Sequence, residues 1–392
     1  MSAKTSSVEN ELAQMGRRHA GNGRLVNLPL SQGSTMLFDC FADFDKARTA
    51  RYQTDTLYYG RYGNEASFAL EAMMSKLEGA DHCITVSSGL TAVTIALMGA
   101  TKAGDHLLVA DNVYGPSRSF CDTVLTRFGV EVGYFDPMVG AELATLIKHN
   151  TTAVMLEAPG TGTFEVPDIP ALTKVCRDNQ LISILDGTWA TPIFCQPIYL
   201  GIDVIVHSGS KYISGHSDVM IGFILCNEAH YQAMRKMALS IGDRAGSQDI
   251  FLTLRGLRTL QLRMSNHESA GLEIAQWFSS QPQVDKVLHP AFTDCPGHEF
   301  WKRDFTGSCG LFSVLFKQTS ELKLAQYTDS LEMFGLGVSW GGFESLALLV
   351  CPKASRTAKP WTETGSLVRF SIGNENRQDL IADLTQAMTH LD

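Results

Sequence analysis

Seven apolar runs of strand length, at 82–87, 106–110, 131–135, 153–157, 181–185, 203–207 and 219–225, recur along the first two thirds of this chain. Segments with helical periodicity, such as 117–128, 141–149 and 168–178, separate most of them. A strand buried on both faces reads as a continuous apolar run, and a parallel neighbour needs a crossover long enough for a helix. The alternation therefore predicts an α/β fold with a mainly parallel sheet covered by helices. A helix is expected from Glu65, with Phe68, Leu70, Met73, Met74 and Leu77 on its apolar face and Gly79 closing it.

The pattern changes near Asp249 to one long helical stretch, Ile250 to Phe278. A smaller mixed α+β region follows, with strands expected at 309–316, 335–339, 346–350 and 367–372. Residues 1–62 are polar and irregular and read as an extended arm that needs a partner surface. Three parts are thus expected: the arm, an α/β domain over 63–256 and a C-terminal domain over 257–392.

A chain of 392 residues, 44% hydrophobic, buries a sizeable core. Its net charge of −9, from 41 acidic and 32 basic side chains without long runs, argues against nucleic acid or an anionic membrane as partner and favours a small molecule. No apolar stretch reaches membrane-spanning length and the start carries no signal-peptide core, so a cytoplasmic protein is expected. Nine scattered cysteines without C-x-x-C or histidine partners point to a reducing compartment and no structural metal.

Strand ends carry the chemistry. Ser208-Gly209-Ser210-Lys211-Tyr212 closes one apolar run, 25 residues after Asp186-Gly187-Thr188-Trp189 closes another. A lysine attacks an aldehyde only when held partly neutral, which burial and a nearby cation achieve. A carboxylate such as Asp186 keeps a pyridine nitrogen protonated, and the hydroxyls of Ser208 and Ser210 can donate to a phosphate. The set suggests a pyridoxal-phosphate (PLP) site, with ligands beyond the carboxyl ends of the strands. Ser88-Gly89-Leu90 turns from a strand into an apolar helix and reads as a phosphate seat or an ordinary helix start. Tyr114 reads as a ring-stacking aromatic or a packed loop tyrosine. Arg369, one charge among apolar neighbours, pairs with a protein carboxylate or awaits a substrate's. Trp340, after Ser339, supplies either a substrate contact or core. His207, His216, His267 and His298 show no spaced partner and are read as structural.

These motifs resemble the Cys/Met-metabolism PLP-dependent enzymes, and among them the bacterial cystathionine β-lyases. The resemblance runs from Leu57-Tyr58-Tyr59-Gly60-Arg61 through Tyr114-Gly115-Pro116-Ser117 and the two strand-end motifs to His298-Glu299-Phe300-Trp301, Ser339-Trp340-Gly341-Gly342 and Val368-Arg369-Phe370. It implies the aspartate-aminotransferase type I fold and a Schiff base on Lys211, with Tyr114 and Asp186 assisting. It also implies that Gly89 and Leu90 hold the cofactor phosphate, and that Arg369 holds the substrate carboxylate, with Ser339, Trp340 and Tyr62 near it. Tyr59 and Arg61 are implied to cross a dimer interface to the neighbour's phosphate, within a homotetramer of dimers with shared sites. The implied activity is β-elimination from a sulfur amino acid, most directly cystathionine. Two departures matter: Tyr62 stands where the lyases carry a second arginine, and Leu239 stands in place of a pocket tyrosine. They keep open a lyase of another cysteine S-conjugate or sulfoxide, a γ-lyase or γ-synthase of the family, and a silent PLP-fold binding protein.

Overall fold

The protein is described here as a computed structural model covering residues 7–15 and 25–391. All seven apolar runs form strands: β1 (His82–Val86), β2 (His106–Ala110), β3 (Glu131–Phe135), β4 (Thr151–Glu157), β5 (Ile182–Asp186), β6 (Val204–Ser208) and β7 (Gly222–Cys226). They make one sheet in the order β1-β7-β6-β5-β4-β2-β3. Neighbours among β2 to β6 pair in parallel, whereas β7 runs antiparallel to both β1 and β6. The exception has a local cause: the segment between Ser208 and Gly222 is turn and loop throughout, and without a crossover helix the chain returns alongside the strand it left.

The helix Gly89–Ala100 is apolar nearly all round, which marks a helix enclosed by protein rather than one lying on a surface. Ala92, Val93, Ile95, Ala96 and Leu97 are indeed buried in one core with the inward faces of the sheet. The expected helix from Glu65 spans Glu65–Glu78; Asn64 caps it by accepting from Ser67 N at 3.0 Å, and Gly79 closes it at φ 78°.

The second sheet, in the order β10-β11-β12-β9-β8, contains β8 (Val284–Leu288), β9 (Leu311–Phe316), β10 (Gly335–Leu336), β11 (Leu346–Val350) and β12 (Ser366–Ser371). Its core joins Phe278, Phe312, Phe316 and Phe370, with the rings of Phe278 and Phe370 4.7 Å apart. Each such buried side chain contributes roughly 1.5–3 kcal/mol.

Several expected elements differ. The stretch 250–278 is two helices, Ser247–Leu257 and Leu260–Ser279, broken at Arg258 and Thr259. The segment 117–128 is a short helix, Gly115–Phe120, followed by the wider turn Cys121–Leu125. The strand expected over 335–339 ends at Leu336. β8 escaped the apolar pattern because Asp285 and Lys286 lie exposed at its centre. The arm is less irregular than its composition suggested: helices Val8–Gln14 and Phe41–Ala50 lie within it, while residues 1–6 and 16–24 lie outside the described residues.

Candidate active site

Parallel pairing brings the carboxyl ends of β4, β5 and β6 side by side, with Asp186 in register with Glu157 on one side and Val206 on the other. Thr188 fixes Asp186: its N–H donates to Asp186 Oδ1 at 3.0 Å, as does its hydroxyl, which in turn accepts from Ser208 N at 2.8 Å. Burial raises the Asp186 carboxyl above its ordinary range, against the Thr188 bonds and the charges of His207 and Lys211. Behind it, His207 does have a partner, contrary to the sequence reading. His207 Nε2 lies 2.9 Å from Glu78 Oε2, with both side chains inaccessible to solvent. The pairing spans 129 residues and leaves no local sequence signal. The other three histidines sit on backbone carbonyls, of Ser214, Ile372 and Pro290.

Lys211 stands three residues beyond the end of β6. Its Nζ donates to Ser339 Oγ at 2.6 Å and lies 5.4 Å from the centre of the Trp340 ring. Burial, reinforced by the nearby Arg369 and opposed by Asp186, lowers its pKa to about 8. Arg369, on β12, donates from Nη2 to the Ser339 carbonyl at 2.9 Å, and burial lowers it to about 10. Ser339 thus links the two cations, the lysine through its hydroxyl and the arginine through its carbonyl. Its φ of 138° is one a non-glycine residue rarely adopts, and such strain gathers at functional sites. The partly buried Trp340 ring packs 5.5 Å from Tyr212 and also faces Lys211.

Ser88 caps the helix Gly89–Ala100, its hydroxyl accepting from Thr91 N at 3.1 Å. Gly89 and Leu90 fill the first helical positions, whose N–H groups have no partner within a helix. A Cβ on Gly89 would come within 2.4 Å of Ser208 Cβ, so only glycine lets this turn lie against the end of β6. The two serines expected at the phosphate separate. Ser208 lies against that turn, whereas the Ser210 hydroxyl accepts from Ile221 N at 2.9 Å and donates to Ile221 O at 3.2 Å.

Tyr114 is half exposed after β2, and its N–H donates to Glu157 Oε2 at 2.6 Å. Burial raises its phenol, with Glu157 adding to the effect. Glu157, also bonded by the Thr161 hydroxyl, was missed in the sequence reading, although an acid ending the apolar run 153–157 before Pro159-Gly160 was a usable signal. Burial first, and Asp186 second, push its carboxyl well above the ordinary range.

The arm residues form a separate group. Arg61 Nη1 donates to the Leu239 carbonyl at 2.5 Å, and its guanidinium sits 4.8 Å from the Tyr62 ring centre. Tyr59, part exposed, bridges to Thr35. Tyr62 is buried against Tyr52 and Tyr58, at ring distances of 6.0 and 5.4 Å, and the Leu239 side chain is buried too. Within one chain, no described hydrogen bond, ion pair or ring contact joins Tyr59, Arg61 or Tyr62 to Lys211. Within its own subunit Tyr62 packs against these two tyrosine rings, and neither its side chain nor that of Leu239 is exposed.

These contacts thus combine a lysine of suppressed charge, a carboxylate at a strand end and a helix N-terminus packed against the lysine's strand. These groups fit an aldehyde that carries a phosphate and a basic ring nitrogen, as pyridoxal phosphate does. Residues 9–389 match the family model described as Cys/Met metabolism PLP-dependent enzyme. The chain is 38% identical over 376 residues to the cystathionine beta-lyase of Haemophilus influenzae, covering 94% of each chain. It is 38% identical over 383 residues to the cystathionine beta-lyase MetC of Escherichia coli (strain K12), covering 96% of this chain and 97% of that one. The solved cystathionine gamma-lyase of Lactobacillus plantarum, complexed with L-serine, superposes with a TM-score of 0.89 at 27% identity, over 98% of this chain and 99% of the other. A match over nearly the whole length, with the lysine, the carboxylate and the Gly89 turn at strand ends, makes this chain a member of the Cys/Met-metabolism family of PLP-dependent enzymes.

Proposed function

We propose that the protein cleaves cystathionine by β-elimination, giving pyruvate, ammonia and homocysteine. The observation that carries this reading is Lys211, desolvated to a pKa of about 8 and held 2.6 Å from Ser339 Oγ. Pyridoxal phosphate, when bound, supplies an electron sink that acidifies the Cα–H of an amino acid. Lys211 Nζ, in its neutral form, removes that proton and returns a proton to the departing sulfur. The Ser339 hydroxyl restrains Nζ, and Arg369 binds the substrate carboxylate and so orients the bond to be broken. Asp186 keeps the ring nitrogen protonated, Tyr114 offers an aromatic face, and Gly89 and Leu90 present N–H groups to the phosphate. Ser88 and Ser208 stand beside that turn.

A second reading, a lyase of smaller cysteine S-conjugates or sulfoxides, is favoured by the burial of Tyr62, where the β-lyases it resembles place an arginine for the far end of the substrate. For the assembly, Tyr59 and Arg61 reaching a neighbouring subunit's phosphate, in a cytoplasmic homotetramer of dimers, accords with their distance in contacts from Lys211 and with exposed Leu37 and Phe41 on the same arm. The division into 63–256 and 257–392 is proposed with it. The deciding experiment is product analysis. The purified protein given cystathionine should release pyruvate with homocysteine; 2-oxobutyrate with cysteine would instead mean γ-cleavage. A kcat/KM for S-methylcysteine equal to or above that for cystathionine would select the second reading.

A further inference from the structure

Outside the Lys211 cluster, three arginines converge on one small cavity at the base of the arm. Arg61, Arg235 and Arg244 line it together with Glu71, Asp243 and Thr85. Arg235 is 4% exposed; its Nη2 donates to the Tyr62 carbonyl at 2.5 Å and its Nη1 lies 3.7 Å from Glu71 Oε1. Its Nε is buried and finds no acceptor among the described residues. Arg244 donates from Nη1 to the Gly60 carbonyl, while its Nε and Nη2 are likewise buried without an acceptor. Asp243 does not answer them, because its carboxylate is bonded to Ser87 N at 2.9 Å and to the Ser87 hydroxyl. Glu71 accepts from Thr85 N at 3.0 Å, and burial raises its carboxyl.

Three guanidinium groups therefore line the cavity with two carboxylates, and three buried donor nitrogens have no acceptor among the described residues. Leaving charged donors unpaired in a buried site is costly, so the lining calls for a small group that accepts and carries negative charge. The cavity is small, with ≈ 20 Å³ open to the centre of a water-sized body, which favours a monatomic anion over a tetrahedral oxyanion. A water would have to aim two protons into a lining dominated by donors. We propose that Arg235 and Arg244 bind a single halide ion, chloride in the cell, that ties helix Glu228–Ile241 and the following loop to the base of the arm. The ion would brace the carbonyls of Gly60 and Tyr62, and hence the turn that presents Arg61. Any effect on cofactor affinity rests on the across-dimer reading of Arg61, so the test reads binding itself.

Crystals of the holoenzyme soaked in sodium bromide should give an anomalous bromine peak within hydrogen-bonding reach of Arg235 Nε and of Arg244 Nε or Nη2. In solution, the holoenzyme's Tm should rise saturably as chloride replaces gluconate at constant ionic strength. Arg244→Gln should lose that chloride-dependent rise. No bromine peak, equal Tm in the two salts, or an undiminished chloride response in a folded Arg244→Gln protein would overturn the proposal. Should that variant not fold, the bromide experiment on the unaltered enzyme still decides it.

Discussion

The charge state of Lys211 is set by two neighbours of opposite sign, so it should move in opposite directions when each is removed. Burial and Arg369 lower its pKa from 10.5 to about 8, and Asp186 works against them. At pH 7 a lysine of pKa 8 is neutral in about one molecule in ten, against about one in three thousand at 10.5, a ratio of roughly 300. Competitive acylation of the cofactor-stripped protein, quantified by peptide mass spectrometry across pH 6 to 11, reads that neutral fraction at Lys211 alone. Arg369→Met should shift the midpoint upward by removing a like charge, and Asp186→Asn should shift it downward by removing the opposing one. Each shift should be about one unit or less, because burial is the leading cause and remains in both variants. The same titration has a stability consequence. A lysine whose folded pKa lies below its unfolded one destabilises the protein below pH 8, and the cost is relieved as pH rises from 8 to 10.5. A wild-type midpoint near 10.5, or shifts of the same sign in both variants, would refute the electrostatic account of the site.

Three further outcomes follow from contacts elsewhere. Asp111 accepts from Arg118 at 2.8 Å and from the N–H groups of Thr357, Ala358 and Lys359, pinning that loop to the end of β2. Asp111→Asn should cost about 3 kcal/mol and speed hydrogen exchange at 357–359, with unchanged exchange there counting against the anchor. Burial alone would raise this carboxyl, but the N–H groups of Lys359 and Thr357 and the charge of Arg118 hold it below 3.8, so its contribution is present at neutral pH and lost on acidification below about 4. Gly89→Ala drives a methyl onto Ser208 and should weaken cofactor binding tenfold or more in an absorbance titration; affinity within twofold of wild type would remove the turn from the phosphate seat. Tyr62→Ala should cost about 3 kcal/mol in denaturant unfolding, as a buried aromatic does. If Tyr62 faced substrate instead, KM would move and stability would not.

Residue patterns by themselves determined the seven strands of the large sheet, because a run buried on both faces announces itself in composition. They also placed Asp186, Lys211 and the Gly89 turn at strand ends, since an apolar run that stops at a polar residue marks where the sheet meets solvent. The antiparallel β7 was hidden: it depends on a connection without a helix, and an apolar run carries no direction. β8 was hidden because exposed Asp285 and Lys286 erased its apolar signal. What the tertiary structure alone decided are contacts across long stretches of chain: Lys211 to Ser339 over 128 residues, Glu78 to His207 over 129, and Glu157 beside Asp186. It also turned Tyr62 inward and brought Arg235 and Arg244 to one cavity. Periodicity reports how deeply a residue is buried, but which polar group it meets there is fixed only when separate elements pack and each buried charge must find a partner.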